Sequence, residues 1–201
     1  MPLEYPRETP SQTAGPFVHI GLMPRLAGFT PFEAELGTVI ASPEVEGTRI
    51  AVVGRVLDGT GTPCRDGVIE VWQADPRGIY PHPNDPRAAE GASGFTGFGR
   101  FETGFEDGAF RIETVKPGIV PGRHGHPQAP HLSLWLVARG VNIGLHTRVY
   151  FADEANGDDP LLGMIDPPHR RDTLIARPDG QGIYRHDIIL QGDGETVFLD
   201  I

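Results

Sequence analysis

From residue 49 onward the chain alternates apolar and polar side chains in short runs, and glycine, proline, asparagine or aspartate ends each run before it reaches helical length. Alternation with a period of two is the pattern of a strand with one buried and one solvated face. The runs cover 50–57, 68–74, 109–115, 131–139, 142–151, 183–190 and 196–199. About seven short strands joined by turn-rich connections predict an all-β domain, an antiparallel β-sandwich with long loops. Gly 27 and Pro 20 make about a quarter of the 201 residues, a share close to that of disordered sequences. The sustained alternation decides for a folded core. Asp58-Gly-Thr-Gly61, between the first two runs, predicts a hairpin there.

Residues 1–45 lack this periodicity. Thr9-Pro-Ser-Gln-Thr-Ala-Gly-Pro16 resists both helix and sheet ladders, so the segment reads as an extended N-terminal arm ahead of a sandwich domain at 46–201. Such an arm is ordered only where something holds it. One or two short helices are expected: a turn at 31–36, with Thr30 as its cap and Pro31 in first position, and another at 169–177, where Leu174 and Ile175 form a narrow apolar face. The interval 75–105 is weakly periodic and rich in turn residues. A loop of that length in a compact domain is functional or disordered.

A formal net charge of -10 without a Lys/Arg-rich run argues against nucleic acid and against an anionic membrane surface as partners. No apolar stretch is long enough to span a bilayer, and the first residues lack the basic-then-apolar layout of a signal peptide; a cytoplasmic protein is expected. Cys64 stands alone, forms no internal disulfide, and reads as an inert turn residue.

Three stretches carry the chemistry: Glu70-Val-Trp-Gln-Ala-Asp75, Val115-Lys-Pro-Gly118, and the strand pair Pro130-His-Leu-Ser-Leu-Trp135 with Leu145-His-Thr-Arg-Val-Tyr-Phe151. In this order, together with the arm at 8–16 and the tail at 194–198, they resemble the intradiol ring-cleaving dioxygenase family over nearly the whole chain. Within that family the resemblance is to the alpha chains of two-chain, protocatechuate-cleaving members. It implies a catalytic beta chain that holds iron(III) through two Tyr and two His. One Tyr lies in the loop after Trp-Gln-Ala-Asp, the second follows Lys-Pro-Gly, and the His pair is a His-x-His on a strand. Hard phenolates favour the ferric state, and imidazoles complete an open site. Here the first Tyr position falls close to Arg87, with Tyr80 nearby, the second reads Val120, and the His pair reads His131-Leu-Ser133. Gln128 stands where the resemblance places an Arg, and Arg148 falls in the segment where the catalytic chain reads Thr-Gln-Leu-Tyr-Phe; Arg148 reads as structural.

What the resemblance implies is thus a chain with no metal and no catalytic residue of its own. Iron(III) would belong to a homologous beta partner in a hetero-oligomer whose shared cleft takes a small aromatic acid, protocatechuate, and O2. The arm at 1–45 would pack on the partner chain, with Thr13, Gly15 and Pro16 in the cleft wall. Arg139, at the end of the His131 strand, would attract a substrate carboxylate that the negative background repels; a surface ion pair is the plainer alternative. Two further readings stay open. One is a stand-alone β-sandwich binding or scaffold module that has lost the iron site, in which the arm has little purpose. The other is a metalloenzyme built on His124, His126 and His131, since three imidazoles suit zinc, although solvated loop histidines account for them more simply. His146 reads as a half-buried polar group, and Trp72, Trp135, Tyr150, Phe151 and Phe198 as core or interface packing.

Overall fold

The computed structural model describes residues 7, 10–15, 17–33, 37–122 and 125–200. Its strands are β1 (Arg49–Leu57), β2 (Val68–Trp72), β3 (Phe98–Glu102), β4 (Ala109–Val115), β5 (His131–Val137), β6 (Leu145–Phe151), β7 (Ile175–Pro178), β8 (Ile183–Arg185) and β9 (Ile188–Ile189). The ladder runs β3-β2-β5-β6-β7-β8-β1-β4, with β9 beside β1. β7 turns the corner, parallel to β6 on one side and antiparallel to β8 on the other. The two halves of the ladder therefore face each other as a sandwich. Ile50, Val52, Val56 and Ile112 from one half meet Ile69, Val71, Leu132, Leu134 and Phe151 from the other in a single apolar core.

The sandwich is mixed where wholly antiparallel pairing was expected: β1 runs parallel to β8 and β9 as well as β6 to β7. The 183–190 run does not form one strand. It breaks at His186-Asp187, and the Asp187 carboxylate accepts the Arg55 N–H at 2.9 Å in place of a backbone carbonyl. Both halves of the run stay on β1 in one register, because Val53–Arg185 and Val56–Ile188 are separated by the same number of residues on each strand. Gly54 makes this approach possible, since a Cβ there would lie 1.7 Å from the His186 carbonyl oxygen.

The expected hairpin after β1 is replaced by a crossover. The turn forms, with the Asp58 carboxylate accepting from the Thr60 and Thr62 amides at 2.8 and 2.9 Å, but the returning chain meets β1 only at the Leu57–Pro63 bridge. β4 and β8 already occupy the two sides of β1, so the chain crosses to the other layer, where β2 lies between β3 and β5. β3 was hidden in the weakly periodic interval. The 169–177 segment is a 3-10 helix over Pro168–Leu174 that gives way to β7, because Leu174 is the last side chain the turn can bury. Residues 196–199 form only a bridge to His146, and residues 31–33 form a bend, with 34–36 outside the described residues. The described residues also include two short α-helices, α1 (Phe17–Leu22) and α2 (Pro160–Met164), the latter capped by the Asp159 carboxylate, and a 3-10 turn at Ala88–Glu90. Among the described residues no helix is long and apolar enough to cross a membrane.

His186 is buried with its Nε2 unpartnered, and burial holds its pKa down from 6.5 to about 4 against the opposing pull of Asp187 and a backbone bond to Ile175. The unfolded chain therefore binds a proton between those two values that the folded chain refuses. Stability should be full above about pH 6.5 and fall as the pH drops toward 4. Urea unfolding across this window should show that slope, and His186→Gln should reduce it without abolishing it, because buried His131 is held down to about 4 in the same way; an unchanged slope in the variant would assign the acid sensitivity elsewhere.

Candidate functional site: a cleft over the outer face of β2, β5 and β6

The strand registers place the family positions on one face. Trp72, Ser133 and Arg148 lie in one row across β2, β5 and β6, and His131 sits opposite Tyr150 in another. Side chains two apart along a strand share a face. His131 and Ser133 therefore point away from the core, while Leu132 and Leu134 point into it.

Loops 73–97 and 116–130 roof this floor. Gln73 is fully buried and joins the layers, donating to the Val115 carbonyl at 3.0 Å and accepting from the Thr114 hydroxyl at 2.8 Å. Asp75 is also fully buried. Its carboxylate accepts from the amides of Arg77, Ile79 and Ala92 at 2.8, 3.0 and 3.1 Å, and its carbonyl accepts from the Gly118 amide at 2.9 Å. The Lys-Pro-Gly motif is anchored by Lys116, whose ammonium lies 2.9 Å from Asp153 and 2.7 Å from Glu154. Its glycine is required by contact: a Cβ on Gly118 would stand 2.4 Å from the Pro76 carbonyl oxygen.

The roof borders an open cleft of about 740 Å³ whose lining includes Trp72, Tyr80, His82, Asp85, Arg87 and Pro121. Tyr80 stacks on Trp72 with ring centroids 5.9 Å apart, and His82 meets the same indole edge-on. A smaller hollow of about 240 Å³ shares Arg87 and adds Val120. Of the four positions the resemblance singles out, Arg87 lines the cleft, Val120 lines the adjoining hollow, and Ser133 lies in register beside the cleft residue Trp72 with His131 two residues before it on β5.

Their chemistry does not suit a ferric ion. Arg87 is a cation already committed to Asp85 at 2.9 Å and to the Gly78 carbonyl at 2.8 Å. Val120 is a buried hydrocarbon whose backbone bridges Gln128. Ser133 offers a hydroxyl beside Arg148. Only His131 has a suitable atom. Its Nδ1 bonds the Ala129 carbonyl at 2.7 Å, which leaves the lone pair on the buried, unpartnered Nε2. Burial and then the Arg148 charge pull its pKa down to about 4, so the ring is neutral. Tyr80 and Tyr150 are both held as phenols, their pKa values raised chiefly by burial. Among the described residues no group of three His, Cys, Asp or Glu side chains is placed to hold a metal ion. His126 is exposed on its loop and His131 buried in β5, while His124 and Pro16 lie outside the described residues.

The remaining predicted residues gather elsewhere. The Gly140 amide donates to the Thr13 hydroxyl at 2.6 Å, and Arg139 pairs with Asp66 at 2.6 Å with its side chain 64% exposed. A Cβ on Gly15 would meet nothing within 4 Å, so no close backbone approach within the chain calls for glycine there. Eight residues separate His131 from Arg139, and at strand rise that is roughly 25 Å. The Thr13–Arg139 group is therefore at the far end of β5 from the chain's own cleft. Arg148, read from the sequence as structural, is the hub of a hydrogen-bonded chain that the sequence did not announce. Its Nη1 donates to Gln128 at 2.7 Å and to the Tyr150 hydroxyl at 3.2 Å, and Tyr150 in turn donates to Asp159 at 3.1 Å. The available signal was a charge set inside a strand between two buried neighbours, Thr147 and Val149.

The sequence model of the family described as Dioxygenase matches residues 24–192. The chain belongs to the intradiol dioxygenase family. It is 49% identical over 205 residues to the protocatechuate 3,4-dioxygenase alpha chain of Pseudomonas putida, covering all of both chains. The alpha chain of Burkholderia cepacia is 40% identical over 97% of this chain and 98% of its own, and the beta chain of that organism 36% identical over 78% and 70%. Among solved intradiol-type structures, the dioxygenase domain of a carbohydrate-binding fusion from Streptomyces sp. SirexAA-E superposes with a TM-score of 0.54 at 22% identity, covering 92% of this chain and 99% of that one. Catechol 1,2-dioxygenase of Pseudomonas arvilla C-1 gives 0.56 at 22%, covering 78% and 56%. At that identity these two share the fold.

Asp75→Ala should destabilise this dioxygenase chain by about 1–3 kcal/mol, because the buried Ile79 amide loses its acceptor and the half-buried Arg77 and Ala92 amides must find water instead. Asp75→Asn keeps one acceptor oxygen and should fall between. Urea unfolding gives the ranking, and near-UV circular dichroism should report loss of the Trp72–Tyr80 stack.

Proposed function

We propose that the chain is the alpha subunit of a cytoplasmic protocatechuate 3,4-dioxygenase that cleaves protocatechuate with O2 to 3-carboxy-cis,cis-muconate. Iron(III) belongs to a homologous beta subunit and supplies the oxygen chemistry there. The observation that carries this reading is the mismatch on the cleft face. A full-length relative of alpha chains keeps the floor and roof of the family site, yet three of the four family positions are Arg87, Val120 and Ser133.

The arm at 1–45 packs on the beta chain in this reading. What supports it is a set of large apolar side chains left in solvent along that arm: Phe17 at 81%, Phe29 at 54%, Phe32 at 51% and Val39 at 59% exposed. A surface of this kind is normally covered by a partner. Thr13, Gly15 and Pro16 then line the partner's cleft, and Arg139 faces the entering carboxylate. Nothing in such a cleft asks this chain to move a proton or hold a metal. Its part is to shape the wall, exclude water and place one positive charge at the mouth.

Expressed alone, the chain should bind no stoichiometric iron and cleave no catechol, whereas co-expression with a beta chain should yield a coloured complex active on protocatechuate. Iron at one equivalent with ring cleavage in the lone chain would overturn the assignment.

Within the complex, Arg139→Ala should raise KM or lower kcat/KM for protocatechuate a few-fold, with the loss shrinking as salt rises and the Debye length falls below about 10 Å. Asp66→Asn should act in the opposite direction by freeing the guanidinium from its 2.6 Å partner. Uncharged catechol is the control. Equal effects on both substrates at every ionic strength would leave Arg139 as a surface ion pair only.

A further inference from the structure

Arg148 is the one described cation among the side chains that floor the cleft. It lies across from Ser133 in the β5–β6 register, and Tyr150, two residues on, lies across from His131. Its Nη1 is fixed by two oxygens, the Gln128 amide and the Tyr150 hydroxyl, at 2.7 and 3.2 Å. Its Nε is buried and has no hydrogen-bond partner. The negative charge that balances it arrives through Tyr150 from Asp159, which is buried. Asp159 is held in turn by the Ala129, Leu161 and Leu162 amides at 2.9, 2.9 and 3.1 Å. A half-buried guanidinium so anchored cannot swing out to solvent without stranding the Gln128 amide oxygen and removing a donor from the Tyr150 hydroxyl. His131 meanwhile keeps the tautomer a metal ligand needs, its Nε2 lone pair free and buried.

We infer that the Arg148 guanidinium takes the place of a metal cation on this face, so that the cleft is barred to iron by a built-in positive charge and not merely by missing ligands. A hydrocarbon at Val120 lowers affinity by removing a donor; a fixed cation opposes any second cation whatever donors surround it, the more so where protein and not water lies between the two charges. Arg148 is on this account a charge-placing residue with no part in catalysis. The same Gln128–Arg148–Tyr150–Asp159 chain supplies partners to the Nη1 end of this half-buried charge, while Nε is left without one. Nothing in this depends on a partner chain.

The test adds ligands with and without the charge. Arg87→Tyr, Val120→Tyr and Ser133→His are combined in the full chain, purified with its beta chain or, if none associates, alone; iron per chain and the visible tyrosinate-to-iron absorbance are compared with wild type. The triple variant should gain no iron. Adding Arg148→Gln to it should gain up to about one equivalent, with new absorbance. Equal uptake by both, including none by either, would overturn the inference. Because a four-fold variant can misfold, Arg148→Ala alone gives a second reading: guanidinium at millimolar concentration should raise its Tm while the neutral isostere urea does not. Rescue by both or by neither would show that the position needs no cation, and would equally sink the idea.

Discussion

The Asp75 carboxylate holds the cleft together. It is withdrawn completely from solvent and spends its lone pairs on amides from Arg77, Ile79 and Ala92, so that a loop of more than fifteen residues closes on one buried point. Its own carbonyl reaches the Gly118 amide and ties the second loop to the first. Long loops are ordinarily the mobile part of a β-sandwich. Here they are pinned from inside, and the Trp72–Tyr80 stack, the Arg87–Asp85 pair and the Val120–Gln128 bridge all take their places from that pin.

Beneath the roof, strand alternation sorts side chains without ambiguity. One face of β5 gives Leu132, Leu134 and Leu136 to the core; the other gives His131 and Ser133 to the cleft. The resemblance implies an Arg at position 128 and a Gln at position 148 in catalytic relatives, and this chain carries Gln128 and Arg148, hydrogen-bonded to each other.

Much of the fold was legible because period-two alternation is a direct statement about burial. β1, β2, β4, β5 and β6 lie where the pattern put them. β3 escaped because Phe98-Gly-Arg-Phe-Glu102 has a glycine at an inward position, where the Ile40 side chain fills the space a Cβ would need. β7 escaped because Leu174 and Ile175, adjacent in sequence, serve a 3-10 turn and a strand in succession. The turn after β1 was legible and its partner was not: Asp58 dictates a reversal, whereas the occupancy of both sides of β1 by distant strands dictates where the chain goes next. For the cleft, the motifs named the floor and roof positions. The link from Gln128 through Arg148 and Tyr150 to Asp159 spans about thirty residues and joins a loop, a strand and a helix cap; no local spacing announces a contact of that kind.

The clamp at Asp75 and the glycine contact at Gly118 have a further consequence, which concerns descent. In small metal-dependent folds the ion supplies folding free energy, and losing one ligand unfolds the chain. Here the roof is fastened by carboxylate, amide and close backbone packing, none of which involves a position where a metal ligand is expected. A duplicated copy of such a gene can therefore lose metal ligands one at a time without losing the contacts that hold its roof in place. Asymmetric pairs of one armed and one unarmed subunit are a natural end point for a scaffold whose chemistry and whose stability rest on different atoms.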